Sequence, residues 1–312
     1  MNPNVTILDV GHGNAAILTS DAGFVVFDAG PNGHLHRYLR EKKIETIEAM
    51  LLSHADVDHV RGAISVLLDP GLHVKHLFIN PDPSKKDNHS FEVLRLAIFE
   101  SERERGTITE PHITTSLSER LMFGDVAIQV LYPPPDLAVG GIGGSDHFGK
   151  PISSNSLSAV LRLMYQGQPR MLFGGDCGQS CLSIWEERKI DAAAPILIYP
   201  HHGGQPGTSD VAAFASQLGQ RIQPEVVIFS VHRTRFGLPR QDVIDSLVSV
   251  LSSVRFVCTQ LPDRYASTVA SANAVHWALH RTEDEKGIHH RDGNIHVSFQ
   301  PNGYRIRIGD DT

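Results

Sequence analysis

Short apolar blocks separated by polar turns run along the whole chain and predict alternating strands and helices. Apolar runs bounded by Gly, Pro, Asn or Asp predict strands, and apolar residues spaced three or four apart predict helices. The predicted strands are Val5–Val10, Ala15–Leu18, Phe24–Asp28, Ile47–Ser53, Val74–Ile79, a hairpin over Leu121–Leu131, Ser156–Met164, Met171–Phe173, Ile196–Tyr199, Val226–Val231, Val254–Cys258 and a hairpin over Asn294–Ile308. The predicted helices are His34–Lys43, Val60–Leu68, Phe91–Glu104, Ser180–Arg188, Val211–Gln217 and Gln241–Ser249.

Two stretches interrupt this alternation. Residues 133–154 are rich in Pro and Gly, and because strands resume directly afterwards we expect a mobile loop at a site and not a linker between domains. Residues 262–312 hold a C-terminal stretch followed by a hairpin, and Val269–Leu279 within it has helical spacing. The sequence therefore predicts a single domain over residues 1–312.

Composition adds limits on class and location. The chain has 312 residues, 41% of them apolar and 20% charged, which is the balance of a globular protein. No apolar run approaches the roughly 20 residues that cross a bilayer, and the N-terminus lacks the basic start of a signal peptide. The three cysteines do not form a disulfide pattern. From these features together we expect a cytoplasmic protein without membrane insertion.

Net charge bears on the choice of substrate. The chain has 28 Lys and Arg against 35 Asp and Glu, a formal charge of −7. This balance gives no long-range attraction to nucleic acid, so an anionic substrate would have to be bound by local cations.

The densest cluster of potential metal ligands is His54, Asp56, Asp58 and His59, directly after an apolar strand. Alternate residues project together while the next pair projects elsewhere, so the spacing favours two adjacent metals over one. The alternative is a solvated loop that begins a helix, with Asp58 near the helix N-terminus as a cap.

Two further strands end in similar chemistry. Asp176 follows the strand at Met171–Phe173, and His201 and His202 follow the strand at Ile196–Tyr199. Taken singly, these residues would be a turn aspartate and a surface loop. Three strand ends that all deliver carboxylate or imidazole instead predict a dinuclear metal site at one rim of a sheet.

These residues resemble the motifs of metallo-β-lactamase-fold hydrolases, most closely the soluble hydrolase domain of the ComEC DNA-uptake channel family and its free-standing relatives. The matching segments are Leu8–Ala15, Phe27–Gly30, Ser53–His59, Asn155–Ser158, Gly174–Asp176, Pro200–Gly203 and Ser230–Pro239. The resemblance implies an α+β fold, a four-layer αββα sandwich with a dinuclear metal site at one sheet edge. Relative to the family's pattern, the C-terminal stretch 262–312 consists of an insertion, Pro262–Arg291, and the terminal hairpin.

The resemblance also implies a set of ligands. His54 and Asp56 would bind the first metal, Asp58 and His59 the second, and Asp176 would bridge both. His201 would complete the second metal's shell, with His202 as the alternative ligand. Asn155 stands where the family has the first metal's third ligand. Because oxygen ligands favour a harder ion, we expect Mn²⁺ to compete with Zn²⁺ for two divalent sites.

The function implied is metal-dependent hydrolysis, first of all a phosphodiesterase or nuclease acting on DNA with a metal-bridged hydroxide as nucleophile. Asp58 would orient the nucleophile and His202 would protonate the leaving group. The basic residues His232, Arg233 and Arg235 would bind a substrate phosphate, or alternatively form an ordinary solvated loop.

Two alternatives remain open at this point. The first is a hydrolase of small phosphodiesters or lactones, because the same metals serve both reactions. The second is a catalytically degenerate module that binds nucleic acid or protein. A protein partner in a defence or nucleic-acid-processing system is compatible with each of them.

Overall fold

Two β-sheets pack face to face with helices on their outer surfaces. The computed structural model describes residues 2–85, 88–270, 275–284 and 287–309. The strands are β1 (Asn4–Ile7), β2 (Ala15–Ser20), β3 (Gly23–Ala29), β4 (Thr46–Leu52), β5 (His73–Ile79), β6 (Ile108–Pro111), β7 (Met122–Phe123), β8 (Val126–Tyr132), β9 (Val160–Tyr165), β10 (Gln168–Phe173), β11 (Ile196–Ile198), β12 (Val226–Phe229), β13 (Arg255–Cys258), β14 (Arg281–Asp284), β15 (Gly287–His290), β16 (Ile295–Gln300) and β17 (Gly303–Ile308).

Helices connect the parallel strands of both sheets. The helices are α1 (His34–Glu41), α2 (Val57–Val60), α3 (Ala63–Leu68), α4 (His89–Arg105), α5 (Pro135–Gly140), α6 (Gln179–Glu187), α7 (Val211–Ile222), α8 (Gln241–Val250) and α9 (Asp263–Ala270). No helix in the described ranges combines the length and the apolar character needed to cross a membrane.

Each main sheet has an antiparallel part and a parallel part. Within the described residues the first sheet has the order β17-β16-β1-β2-β3-β4-β5-β6, and the second has the order β13-β12-β11-β10-β9-β8-β7. Strands β3 to β6 are parallel to one another, as are β10 to β13. Because the carboxyl ends of parallel strands meet at one edge, the loops after them are brought together.

Apolar side chains fill three spaces between four layers. Between the sheets, the rings of Phe27 and Phe173 stack with their centroids 4.1 Å apart. Leu35 and Leu39 of α1 pack on the outer face of the first sheet, and Leu247 of α8 packs on the outer face of the second. The mixed α+β fold with two sheets between helices confirms the αββα expectation.

Several local predictions needed correction. The Pro- and Gly-rich segment 133–154 contains α5, because Pro135 occupies the first helical position, where the ring's fixed φ is favourable. The predicted helix over Val60–Leu68 is wrong as one element. Arg61 and Gly62 separate α2 from α3, because Gly62 N donates to Gly30 O at 2.8 Å and so leaves the helical hydrogen-bond series.

The C-terminal region joins the first sheet. Strand β16 pairs antiparallel with β1, so the terminal hairpin of β16 and β17 extends the first sheet. The helical spacing over Val269–Leu279 overlaps the end of α9 and a 3₁₀ turn at Val275–His280, and residues 271–274 of that prediction lie outside the described residues.

Candidate functional site

A buried carboxylate and a serine organise the residues after β3 and β4. Asp28 is the penultimate residue of β3, and its Oδ1 accepts a hydrogen bond from Ser53 N at 2.7 Å. Its Oδ2 accepts from Ser53 Oγ at 3.0 Å and from His59 Nδ1 at 2.7 Å. The His59 ring is thereby fixed with its Nε2 directed toward Asp176, 3.3 Å from Asp176 Oδ1. A carboxylate behind the imidazole is the usual means of orienting a metal-binding histidine.

The second sheet delivers Asp176 to the same place. Asp176 N donates to Ser158 Oγ at 2.8 Å, and that hydroxyl also lies 3.2 Å from His54 Nδ1. Gly175 precedes Asp176 with φ +52, and a Cβ there would lie 2.5 Å from Ser158 Oγ, so only glycine fits the approach. Ser158 therefore connects ligand candidates that come from different sheets.

His54, His59 and Asp176 form a first group that could hold a cation. All three are buried, and their ligand atoms lie within 4.8 Å of one another. Nε2 of His54 is buried without a hydrogen-bond partner and lies 3.7 Å from Asp176 Oδ2. Two imidazole nitrogens and a carboxylate, with two nitrogens left unsatisfied, are a donor set that fits a divalent metal.

The charges of this first group support each other. Burial disfavours the charged form of His59, but the carboxylates of Asp28 and Asp176 outweigh it and raise the pKa of His59 well above 6.5. Burial would raise the pKa of Asp176, but His59 and His201 hold that pKa well below its usual value. The carboxylate is thus ionised, and the proton on His59 occupies a place that a cation can take.

His12, Asp58 and His202 form a second group with ligand atoms within 4.8 Å of one another. Asp58 Oδ2 lies 3.2 Å from His202 Nε2, 3.6 Å from His12 Nε2 and 3.9 Å from His59 Nε2. Gly13, with φ +139, lets the backbone after His12 pass close to Asp58, since a Cβ there would lie 2.4 Å from Asp58 O.

The pKa values of His12 and Asp58 in this second group favour the binding of a cation. Burial, followed by repulsion from His202, lowers the pKa of His12 to about 4, so its imidazole is neutral near neutral pH. Burial would raise the pKa of Asp58, but the hydrogen bond from His202 and the charge of His59 lower it. A neutral imidazole and an ionised carboxylate are the forms that bind metals.

The two adjacent histidines after β11 diverge. Both have left-handed backbones, with φ 51 at His201 and φ 55 at His202. His201 N donates to Asp176 Oδ1 at 3.2 Å, and His201 Nδ1 lies 3.3 Å from Asp176 Oδ2. His202 turns instead to Asp58. Such a backbone costs free energy and is typical of functional sites.

Asp56 lies at the edge of the first group, with its Oδ2 3.8 Å from His54 Nε2. The ammonium of Lys85 contacts Asp56 Oδ1 and lies 3.2 Å from Ala55 O. Burial would raise the pKa of Asp56, but the nearby charges of His54 and Lys85, together with the contact from the Lys85 ammonium, lower it. Lys85 would therefore compete with a bound metal for the Asp56 carboxylate.

The remaining predicted residues lie around the site. Asn155 starts a 3₁₀ turn before β9 and lines, with His201, a cavity of about 340 Å³. The guanidinium of Arg233 pairs with Asp292. Arg235 is exposed and forms no ion pair or hydrogen bond within the described part of the chain, and His232 lies half-buried beside Gly11.

Sequence reasoning missed four residues of this site: His12, Asp28, Lys85 and Ser158. His12 and Asp28 lie within segments that carry the family resemblance. Each lies near the end of a predicted strand and within two residues of a glycine, and this position could have identified them as site residues. Ser158 also lies within a matching segment, Asn155–Ser158, but not beside a glycine, and Lys85 lies in none of these segments.

Comparison with known proteins agrees with this geometry. Residues 8–79 match the Metallo-beta-lactamase superfamily. The chain is similar to ComE operon protein 3 of Bacillus subtilis (strain 168), 27% identical over 215 residues. That match spans 67% of this chain but only 23% of the length of the relative.

Two solved structures are similar to this chain at low sequence identity. The metallo-β-lactamase fold protein YhfI from Bacillus subtilis gives a TM-score of 0.46 at 13% identity, covering 81% of this chain and 95% of that one. The metallo hydrolase Igni18 from Ignicoccus hospitalis gives 0.47 at 14% identity, covering 83% and 97%. From the matched segment and the two-sheet fold, we conclude that the chain contains a metallo-beta-lactamase superfamily domain.

Proposed function

We propose that the protein is a divalent-metal-dependent phosphodiesterase that cleaves DNA. The observation that carries the proposal is the pair of adjacent cation groups, His54–His59–Asp176 and His12–Asp58–His202. His59 Nε2 connects them, at 3.3 Å from Asp176 Oδ1 and 3.9 Å from Asp58 Oδ2. Two groups this close fit a pair of metals that act on one phosphodiester.

Both groups would hold Zn²⁺ or Mn²⁺, which is the expected choice for mixed imidazole and carboxylate donors. When bound, such ions polarise a phosphoryl oxygen and make water a better nucleophile near neutral pH. His201, whose Nδ1 lies 3.3 Å from Asp176 Oδ2, would join the first group. Asp56 would contribute only in competition with Lys85, and Asn155 would line the approach.

The protein's own residues would then position the reaction. Asp28 fixes the His59 ring, and Asp58, which lies between three histidines, would orient the attacking water. We assign His202 to the second group as a metal ligand. This role takes precedence over the alternative role, protonation of the leaving group. Arg235 would bind a phosphate oxygen, while Arg233 would fix the loop through Asp292.

DNA is proposed as the substrate because of the resemblance to the ComEC DNA-uptake family, with which the similarity to ComE operon protein 3 agrees. The net charge of −7 does not oppose this, because bound cations offset the local carboxylates.

The test is hydrolysis by protein of known metal content. Metal-replete protein should contain about two ions per chain and should cleave single-stranded or duplex DNA. RNA and bis-p-nitrophenyl phosphate are the comparison substrates. Asp176→Asn should lower the rate at least about a hundred-fold because it removes a ligand's charge, whereas Asp125→Asn, at an exposed turn, should not.

Three results would overturn parts of the proposal. Absence of bound metal after metal-replete expression would leave a degenerate binding module. Turnover of the small ester alone would point to a small-molecule hydrolase. Full activity in Asp176→Asn would mean that the two groups are not the reaction centre.

A further inference from the structure

We propose that Phe236 is a stacking platform for one unpaired nucleobase of the substrate, next to the phosphodiester that is cut. The inference rests on the proposed function and narrows it to nucleic acid with accessible base faces. Phe236 lies in a loop of residues 232–238 between β12 and α8, hereafter the Phe236 loop.

The Phe236 loop is anchored on both sides. At its start, Arg233 N donates to Gln260 Oε1 at 2.9 Å, and Thr234 N donates to His232 Nδ1 at 3.2 Å. At its end, Arg264 Nη2 donates to Gly237 O at 2.8 Å. Because Arg233 and Gly237 are both tied to residues outside the loop, the backbone position of Phe236 is held by the fold.

Phe236 itself contributes little to folding in this position. Its side chain is 69% exposed, so burial gives little stabilisation. Its backbone has φ +63, a conformation that is unfavourable for a bulky residue. An exposed aromatic held at an unfavourable backbone angle next to a reaction centre is better explained by substrate contact than by stability.

A continuous row of rings connects Phe236 with the second cation group. The centroids of Phe236 and His12 are 4.4 Å apart, and those of His12 and His202 are also 4.4 Å apart. One side of the phenyl ring is thus against a candidate ligand, and the rest of the ring is open to solvent. A flat group bound there would lie beside whatever the second cation group holds.

The neighbouring Arg235 supplies the matching charge. It is exposed, and no described residue forms an ion pair or hydrogen bond with its guanidinium. An exposed aromatic residue and an exposed cation in one loop are the combination that binds a base together with its phosphate. In duplex DNA the base faces are covered by their neighbours, so this arrangement favours single strands, frayed ends or short fragments.

The experiment uses metal-loaded full-length protein and two compounds with a single phosphodiester each. One is thymidylyl-thymidine, and the other is the same compound with one base replaced by hydrogen. Wild-type protein should prefer the base-bearing compound by about ten-fold in kcat/KM, mainly through KM, because a stack formed before the reaction persists in it.

The variants isolate the ring. Phe236→Ala should abolish the preference by raising KM for the base-bearing compound about ten-fold, and Phe236→Trp should retain it. Phe99→Ala removes a 56% exposed phenylalanine of α4 and should change nothing. Metal content of every variant is measured alongside, and it should equal that of the wild type.

Each opposing result has a distinct meaning. If the loaded wild type hydrolyses neither compound nor DNA, the proposed function fails. If it hydrolyses both compounds equally well, or if Phe236→Ala keeps the preference, only the stacking inference fails. Loss of metal in Phe236→Ala would also overturn the inference, since the ring would then serve to support His12.

Discussion

Asp28 shows how a single residue behind the site can control it. Its carboxylate accepts hydrogen bonds from Ser53 N, Ser53 Oγ and His59 Nδ1, all at 3.0 Å or less. It is buried and is positioned to orient a ligand without itself belonging to either cation group. Its contribution should therefore appear in metal affinity before it appears in substrate binding.

Asp28→Asn should weaken metal binding by about ten- to a hundred-fold, because a neutral amide holds the His59 imidazole less firmly. Competition against a chromophoric chelator measures this, and circular dichroism verifies that the variant is folded. Asp125→Asn is the control at an exposed position. An unchanged affinity in Asp28→Asn would show that His59 needs no support from this carboxylate.

Two loops of the site follow strands of the second sheet and lead into packed helices. The loop after β11, which holds His201 and His202, leads into α7, whose N-terminus is capped by Asp210. Asp210 Oδ1 accepts a hydrogen bond from Ala213 N at 2.9 Å. This cap also fixes the point where the loop ends. The stability of α7 and the position of His201 and His202 are therefore linked.

Asp210→Ala should lower the free energy of unfolding by about 1 kcal/mol, because an amide at the start of α7 loses its partner. Asp210→Ser should recover most of this, since serine caps helices nearly as well. Urea unfolding of the metal-free protein measures both values. Equal stability of the alanine and serine variants would mean that the cap hydrogen bond has no net effect.

At the scale of the whole molecule, the site lies where the two sheets meet. Ala159 N donates to Ser53 O at 2.9 Å, and Asn80 Nδ2 donates to Leu157 O at 2.7 Å. The core between the sheets includes Val5 and Val297, which come from opposite ends of the described chain. We therefore propose that one domain spans residues 1–312, with both sheets joined at the cation groups.

Bound metal should stabilise this junction. Zn²⁺ or Mn²⁺ at about a hundred times its Kd should add about 2.7 kcal/mol and raise Tm by several degrees. The rise should grow as the pH increases above about 6.5, because the pKa of His59 is raised well above that value and a proton must leave before metal binds.

Differential scanning calorimetry with and without a chelator tests this prediction. Asp176→Asn should lose most of the metal-dependent rise, and Asp125→Asn should keep it. A rise that was the same in both variants, or independent of pH, would place the stabilising ion elsewhere.

The sequence by itself determined most of the strands and helices, because their apolar periodicity is local and each buried face is visible within a few residues. It also determined the ligand candidates at positions 54 to 59, because they lie within one loop after one strand. The αββα layering followed from the resemblance, since no local pattern says which strands pair.

Only the tertiary structure decided which side chains meet. His202 and Asp58 are separated by 144 positions in the chain, and Ser158 and His54 by 104, yet they are in contact. The same holds for His12 in the second group, for Lys85 on Asp56 and for Phe236 against His12. The physical reason is that pairing of parallel strands brings distant loops to one edge, and the sequence around each loop carries no record of its neighbours there.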